Sequence, residues 1–462
     1  MQRAVSIAPH IIAQLFGAKL VRFNKVSSAM NTRLVAALRD GLRGEALFAV
    51  VMMAASSLGF IKAIGVATVL PSSQFGLYIS FLGIATLCSI LCSLGRVEAT
   101  IKLYPTLYAR GQGGWIARHA FRLWRRLAVV VVLCGVAVWA TVKLGARNGF
   151  DPPDITVLDL VLVAVTAWLV IGLTLAASLV RAVPATGLLQ RFTVTRGALV
   201  ISVALPTAYL SQSWRNTLLA EAVAMVVILG VTALWLKGPL RKGAMDPEGA
   251  GHSTLAPEIS RGGGLLYLAG LISATVPYGG RAAVLFLSGP VVAGAFGLLT
   301  LVVQIGIMLA SALSQRLGPR LIRDAAAERL DVSIMAGPLA IMGVLSGVST
   351  VLLVTSFLVP AGASFWGSYG IGAGLLLIVG LQMVLPCYLF LKFLLIARNE
   401  ETAVLKAACV TVICFYTGIG LSSRLDLGLW GYVCAAAFAD LVRLLVKSYF
   451  IFWKKGNSHA QL

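Results

Sequence analysis

The 462-residue sequence is poor in charge, and poorest in acid. Asp, Glu, Lys and Arg make up 12% of it, with 17 Asp or Glu against 38 Lys or Arg. A soluble domain carries about 25% charged residues, so a chain this long with so few cannot dress a globular surface. Histidine is rarer: His10, His119, His252 and His459 stand far apart in the sequence. They offer no cluster for a metal or for acid–base catalysis. The seven cysteines (Cys88, Cys92, Cys134, Cys387, Cys409, Cys414, Cys434) fall inside apolar stretches without a CxxC pair. They read as small apolar fillers, not as disulfide or metal partners. There is no GxxxxGK[ST] phosphate loop, and no cofactor is expected.

What is there is hydrophobic. Residues of the AVILMFWYC set make up 59% of the chain, and its mean hydropathy is +0.91. About twelve apolar blocks approach the ~20 residues that a bilayer-crossing helix needs. They run near 46–70, 76–95, 127–144, 156–180, 197–210 and 217–236, then 264–287, 291–313, 334–359, 369–396, 403–421 and 429–452. The expected fold is all-α: a polytopic membrane protein of about 12 transmembrane helices. The fifth block is the shortest and carries Pro206.

The net charge of +21 would point to nucleic acid in a soluble protein. Here the basic residues sit between the apolar blocks, as the cytoplasmic positive bias requires, and no nucleic-acid partner is expected. Arg33, Arg39 and Arg43 precede the first block, and Arg96 to Arg126 follow the second. Arg181, Arg191 and Arg196 follow the fourth, Lys237 to Arg261 the sixth, and Arg316 to Arg329 the eighth. The opposite side holds Lys143, Arg147, Arg215 and Arg424. Both termini are therefore expected in the cytoplasm. Within 96–126, Trp115, Phe121 and Trp124 interleave with basic residues, which reads as a helix on the inner leaflet or a solvated connector. Residues 1–29 read as a surface amphipathic helix or an over-extended gene start, with Met30 as a second start.

Segment 237–263 is the most polar internal stretch and divides the chain in two. The expected organisation is a basic segment 1–45, a six-helix lobe 46–236, a linker 237–263, a second six-helix lobe 264–453 and a tail 454–462. The halves echo each other. Lys62 sits late in one opening span, before Leu70–Pro71 and Phe75–Gly76; Arg281 sits late in the other, before Gly289–Pro290 and Phe296–Gly297. Six spans per repeat keep both halves in one orientation, giving pseudo-twofold symmetry about the membrane normal.

The segment ATVLPSSQFGLYISFLGIATLCSILCSLGRVEATIKLYPTLYARGQ (67–112) resembles the opening of bacterial oligosaccharide and polysaccharide flippases. These belong to the multidrug/oligosaccharidyl-lipid/polysaccharide exporter (MOP) superfamily. SALSQRLGPRLIRDAAAERLD (311–331) resembles the matching place in the second half. The motifs are degenerate, but the likeness extends over most of the chain. It implies export of undecaprenyl-diphosphate-linked oligosaccharide units across the inner membrane for exopolysaccharide, capsule or O-antigen synthesis. Membrane lipid, a polysaccharide polymerase and a co-polymerase are the partners it implies.

An ionisable group mid-span costs about 2.5–3.5 kcal/mol on insertion scales, so each needs a reason. Lys62 and Arg281 are the candidate diphosphate-binding pair, facing each other across a central cavity; the alternative is that both snorkel to the outer interface. Pro277, Gly279 and Gly280 are expected to bend the helix that carries Arg281. Asp440 is the candidate ion-coupling carboxylate, with pairing to Arg443 as the alternative. Asp159 and Glu221 read as solvated or capping residues, and Lys392 as a snorkelling one. Pro206, Pro338, Pro386, Gly372, Gly374 and Gly380 serve bending or close packing. Trp366 and Tyr369 fit an outer aromatic belt. Three functions compete: a lipid-linked oligosaccharide flippase, a multidrug or cation antiporter of the same superfamily, and a membrane polymerase or glycosyltransferase. The short outer loops and scattered histidines argue against the last.

Overall fold

A computed structural model describes residues 58–147, 155–183, 186–242, 256–326, 336–398 and 400–452. The expectations for residues 1–57 lie outside the described residues, as does the tail from 453. No strand occurs among the described residues, and the protein is an all-helical polytopic membrane protein. All described residues fall in one compact unit.

The N-terminal lobe comprises α1 (Leu58–Val69), α2 (Ser72–Ser93), α3 (Arg96–Ala109), α4 (Gly113–Arg147), α5 (Val157–Ala182), α6 (Thr186–Ser211) and α7 (Trp214–Lys242). The C-terminal lobe comprises α8 (Ala256–Ala274), α9 (Gly280–Ala326), α10 (Ala336–Ser356), α11 (Pro360–Ser368), α12 (Ala373–Gln382), α13 (Tyr388–Ala397), α14 (Glu401–Arg424) and α15 (Gly428–Phe452). α9 contains two spans, because Gly289 breaks it at φ +80°, a conformation that side chains with a Cβ resist.

Several expectations are corrected. The fifth span is not short: α6 runs 26 residues straight through Pro206. Arg191 and Arg196 therefore belong to a spanning helix instead of a loop. Segment 96–126 is not one surface helix. It breaks at Arg110–Gln112, and its second half continues into the 35-residue α4. The expected linker is invaded from both sides, by α7 to Lys242 and by α8 from Ala256. The tenth span is interrupted: α12 stops at Gln382, a single 3₁₀ turn at Leu385–Cys387 carries Pro386, and α13 resumes at Tyr388. A proline lacks the amide that an uninterrupted α-helix would use there.

The bundle has two distinguishable ends, a turn end near Leu70–Pro71 and Gly289–Pro290 and a basic end near Arg96–Arg126. At the turn end the two lobes touch backbone to backbone. A Cβ placed on Gly76 would lie 1.7 Å from the Pro290 carbonyl oxygen, and one on Gly294 would lie 2.9 Å from that of Ser72. Without the hydrophobic effect to drive helices together in lipid, such close approach of small residues supplies the packing energy. Tyr369 adds a second tie, donating from its hydroxyl to the Ala67 carbonyl at 2.7 Å, with Phe75 edge-on at 5.8 Å. Trp366 and Tyr369 are thus buried packing anchors and not interfacial belt residues. Their partners come from segments distant in sequence, which no local pattern reveals.

One hydrophobic core, including Phe75, Tyr78, Phe296, Leu375, Phe415 and Tyr432, draws on both lobes. Towards the basic end the core divides. Ala269, Met342, Phe390, Leu394 and Ile451 cluster within the C-terminal lobe, and Leu169, Leu173, Ile228 and Leu236 within the N-terminal lobe. There Tyr267 of α8 still reaches the carbonyls of Ile90 and Leu91 on α2. The lobes therefore share a core at the turn end, while at the basic end α8 bridges to α2 between clusters that each belong to one lobe.

At the basic end Tyr104 is fully buried, and its hydroxyl lies 3.1 Å from His119 Nδ1. Trp115 stacks on the His119 ring at 4.8 Å. Arg118, Arg122, Arg125, Arg126, Trp115 and Phe121 remain exposed beside them. Burial, then the charges of Arg122 and Arg126, hold the His119 pKa below its usual value.

Two predictions follow from this packing. Gly76→Ala should lower the thermal stability of the purified protein by about 2 kcal/mol or more, because neither helix backbone can yield without separating the lobes. A control substitution at Gly187, where a Cβ meets nothing within 4 Å, should leave the melting temperature within error. His119, with its folded pKa below the unfolded value of about 6.5, takes up a proton more readily in the unfolded chain. Stability should therefore fall as pH drops through about 6.5 towards the folded pKa, and His119→Gln should flatten that part of a Tm-against-pH curve.

Candidate functional site

The first cluster of polar groups lies where the lobes meet. Lys62 sits on α1, Tyr78 on α2, Arg196 on α6, Glu221 on α7, and Arg281 on α9 just after the bend. Lys62 Nζ donates to Glu221 Oε1 at 2.7 Å. The Tyr78 hydroxyl donates to the same carboxylate oxygen. Lys62 Nζ also lies 5.7 Å from the Tyr78 ring centroid. Glu221 is 1% exposed and Lys62 11%, so this is a buried ion pair, not a capping or solvated glutamate. Glu221 sits about two turns into α7, and the turn end of that helix folds back beside α1 and α2, which removes the water that a terminal residue would have.

Arg281 is buried, and it donates from Nε to Thr300 Oγ1 at 3.1 Å. Its Nη2 is buried without a hydrogen-bond partner. Tyr78 and Tyr278 lie within electrostatic reach of it, and the Arg281 carbonyl accepts from Ser80 at 3.4 Å. Lys62 and Arg281 are thus brought to the same tyrosine, Tyr78, from different lobes, and neither snorkels to an interface. Arg196 was read from the sequence as a loop residue. It is accessible and lies within electrostatic reach of Glu221 and Tyr278. Lys62 and Arg196 thus stand near Glu221, and Arg281 stands near Tyr78, which donates to that carboxylate.

The bend expected at Pro277, Gly279 and Gly280 takes the form of a π-helical turn at Thr275–Gly279. The Thr275 carbonyl accepts both the Gly280 amide of this turn and the Tyr416 hydroxyl of α14, the latter at 2.9 Å. Gly279 and Gly280 pack so closely on Tyr416 and Phe415 that a Cβ would come within 2.6 Å and 2.5 Å of them. Asp159 does cap α5, through a reciprocal box with Thr156. It also pairs with Arg215, Nε to Oδ1, at 2.5 Å.

The second cluster lies inside the C-terminal lobe, around a cavity of about 240 Å³. The break in the tenth span creates it, by setting Gln382 and Tyr388 against α15. Gln382 Nε2 donates to Asp440 Oδ2 at 2.9 Å. Arg443 donates from Nη1 to the Tyr388 hydroxyl at 2.9 Å and from Nε to Thr411 Oγ1 at 3.4 Å. Lys447 Nζ donates to the Tyr388 carbonyl at 3.3 Å. Arg443 and Lys447 both lie over the Tyr388 ring, at 4.8 Å and 4.7 Å. Asp440 does not pair with Arg443, because the interrupted helix offers each a nearer partner. Lys392 lines the cavity with them instead of snorkelling. An aromatic face returns up to about 2 kcal/mol to a desolvated cation, whereas burying an ion costs several kcal/mol. The two clusters therefore carry uncompensated positive charge. Glu221, Arg196, Tyr388 and Gln382 are the members that sequence reasoning missed. The signal for Glu221 was present: a lone carboxylate in an apolar run.

Among the described residues no group of three or more His, Cys, Asp or Glu could hold a metal ion. No protein-family model matches the chain, and no curated relative matches it closely enough to count. Solved structures do. A multidrug resistance MATE family transporter of the MOP superfamily, in an inward-facing conformation, matches at TM-score 0.61 and 16% identity, covering 86% of this chain and 96% of its own. Another such transporter, in an outward-facing conformation, matches at TM-score 0.52 and 16% identity, covering 87% and 92%. A MOP superfamily transporter from Pyrococcus furiosus, described as having a binding pocket of reverse polarity that suggests a different function, matches at TM-score 0.50 and 15% identity, covering 87% and 94%. The chain has a MATE-like fold, that of a polytopic protein of about twelve spans.

The Lys62–Glu221 pair can be tested by a double-mutant cycle. Lys62→Met alone should cost about 3–5 kcal/mol of stability by leaving Glu221 buried without its cation. Lys62→Met combined with Glu221→Gln should recover most of that loss in thermal unfolding. Additive losses would show that the two groups do not depend on each other.

Proposed function

We propose that this protein is an alternating-access exporter of an anionic lipid-linked headgroup. The cargo is an oligosaccharide on undecaprenyl diphosphate, moved across the inner membrane for polysaccharide synthesis. The observation that carries this reading is the placing of Lys62 and Arg196 near the carboxylate of Glu221 and of Arg281 near Tyr78, where the lobes meet. Arg281 holds an unused Nη2 donor there. A guanidinium fork suits a phosphate, and a lysine adds a point charge. No bond is made or broken, so binding and release need only a change of access.

The packing supports a direction for that change. The lobes share a core at the turn end, and towards the basic end each has a cluster of its own, bridged by Tyr267. If the basic loops face the cytoplasm, as the positive bias requires, this state is open inward, with both termini inside. Arginine and lysine then draw the diphosphate up between the lobes, while the lipid tails stay in the bilayer. Opening outward requires Gly76 to leave Pro290 and Tyr369 to leave Ala67. The bend at Thr275–Gly279 is the natural place to absorb that motion. A polymerase and co-polymerase acting on the delivered units are the expected partners.

A cation or multidrug antiporter is the second reading, favoured by the buried carboxylates Glu221 and Asp440. It is the weaker one, because in each cluster the cations outnumber the acid.

In cells, Arg281→Gln and Arg196→Gln should each abolish polymer export while leaving the protein level in the membrane unchanged. Lipid-linked glycan should accumulate on the inner leaflet. Resistance to cationic drugs in an efflux-deficient strain should be the same with and without the gene. Retained export in both variants, or drug resistance that depends on Glu221, would favour the antiporter.

A further inference from the structure

The cavity of the C-terminal lobe is separate from the meeting place of the lobes. Every residue that lines it belongs to α8 through α15 or to the turns between them. Its polar wall holds Lys392, Arg443 and Lys447 against the single carboxylate Asp440. Arg443 is 6% exposed and Lys447 4%. Among the described residues the ion pairs are Lys62–Glu221 and Arg215–Asp159, so none of these three cations has a carboxylate within 4.0 Å. Asp440 is occupied by the neutral amide of Gln382. Arg443 Nη2 is buried with no hydrogen-bond partner.

Buried charges are ordinarily paired, and these are not. The wall lacks about two negative charges and offers a free guanidinium donor flanked by ammonium groups. That is the complement of a tetrahedral oxyanion, for which an arginine fork supplies directed hydrogen bonds. The volume of about 240 Å³ has room for such a group with a few waters at about 30 Å³ each. The opposite wall, with Ala269, Val303, Val404 and Ala408, is apolar and would tolerate either water or a hydrocarbon stem.

We propose that this cavity is a second anion site, which binds a phosphate-type oxyanion on Arg443, Lys447 and Lys392. The anion comes either free from solution or as the headgroup of a phosphorylated lipid. The site does not depend on the export reading, since binding is measured without transport and would stand if the cargo proved different. Through Thr300, which lines the cavity and accepts from Arg281, its occupancy touches the residue that faces the other lobe.

The full chain, purified and placed in nanodiscs of phosphatidylcholine, is titrated with inorganic phosphate by calorimetry. A parallel arm replaces part of the lipid with phosphatidic acid and reads the melting temperature. Saturable phosphate binding identifies a soluble oxyanion as the ligand, and a rise in melting temperature with phosphatidic acid alone identifies a lipid headgroup. In either case Arg443→Gln and Lys447→Gln should each weaken the effect about tenfold or more. Arg443→Lys should weaken it less. The proposal is overturned if the wild-type protein responds to neither probe. It is also overturned if the response survives in both Gln variants. Should the Gln variants fail to fold, the wild-type response and the Arg443→Lys titration decide.

Discussion

A charge taken out of water must be answered by an opposite charge or by hydrogen bonds, and in a membrane bundle both must come from neighbouring helices. That constraint organises this protein. The carboxylate of Glu221 draws Lys62 and the Tyr78 hydroxyl onto itself and so fixes α1, α2 and α7 together. Asp159 and Arg215 do the same at the turn end for α5 and α7. Where cations outnumber acids, at Arg281 and at Arg443, donors are left over. A structural role would consume those donors; a binding role needs them free.

Helix irregularity places the charges. The π-turn at Thr275–Gly279 precedes Arg281, and the proline-bearing break at Leu385–Cys387 delivers Tyr388 to Arg443 and Lys447. In both places a backbone carbonyl also accepts from a side chain of another helix: Thr275 from Tyr416 and Tyr388 from Lys447. Non-helical backbone at membrane depth survives only where protein or an enclosed cavity satisfies it. The same segments thus bend the helices, line the cavity and hold the cations.

The lobes, by contrast, are joined with very little chemistry. Gly76 and Gly294 allow backbone contact, and Tyr369 and Phe75 fill the remaining space. Contacts of this kind are strong when the shapes match and weak once they part. They suit a junction that holds one state without locking it, since sub-ångström misfit is enough to forfeit much of the dispersion energy.

The apolar blocks were enough to determine an all-helical membrane protein, because span length is a local property of the chain. The sequence also marked Lys62, Arg281 and Asp440 as anomalies, since a charge in an apolar run is conspicuous wherever it lies. It could not say what each anomaly touches. Glu221 as the partner of Lys62, Arg196 inside a span, Gln382 on Asp440 and Tyr369 as a tie between lobes all join residues tens to hundreds of positions apart. Such pairings depend on how helices cross, and helix crossing is set by side-chain shape summed over the whole bundle. Only the tertiary structure decides it.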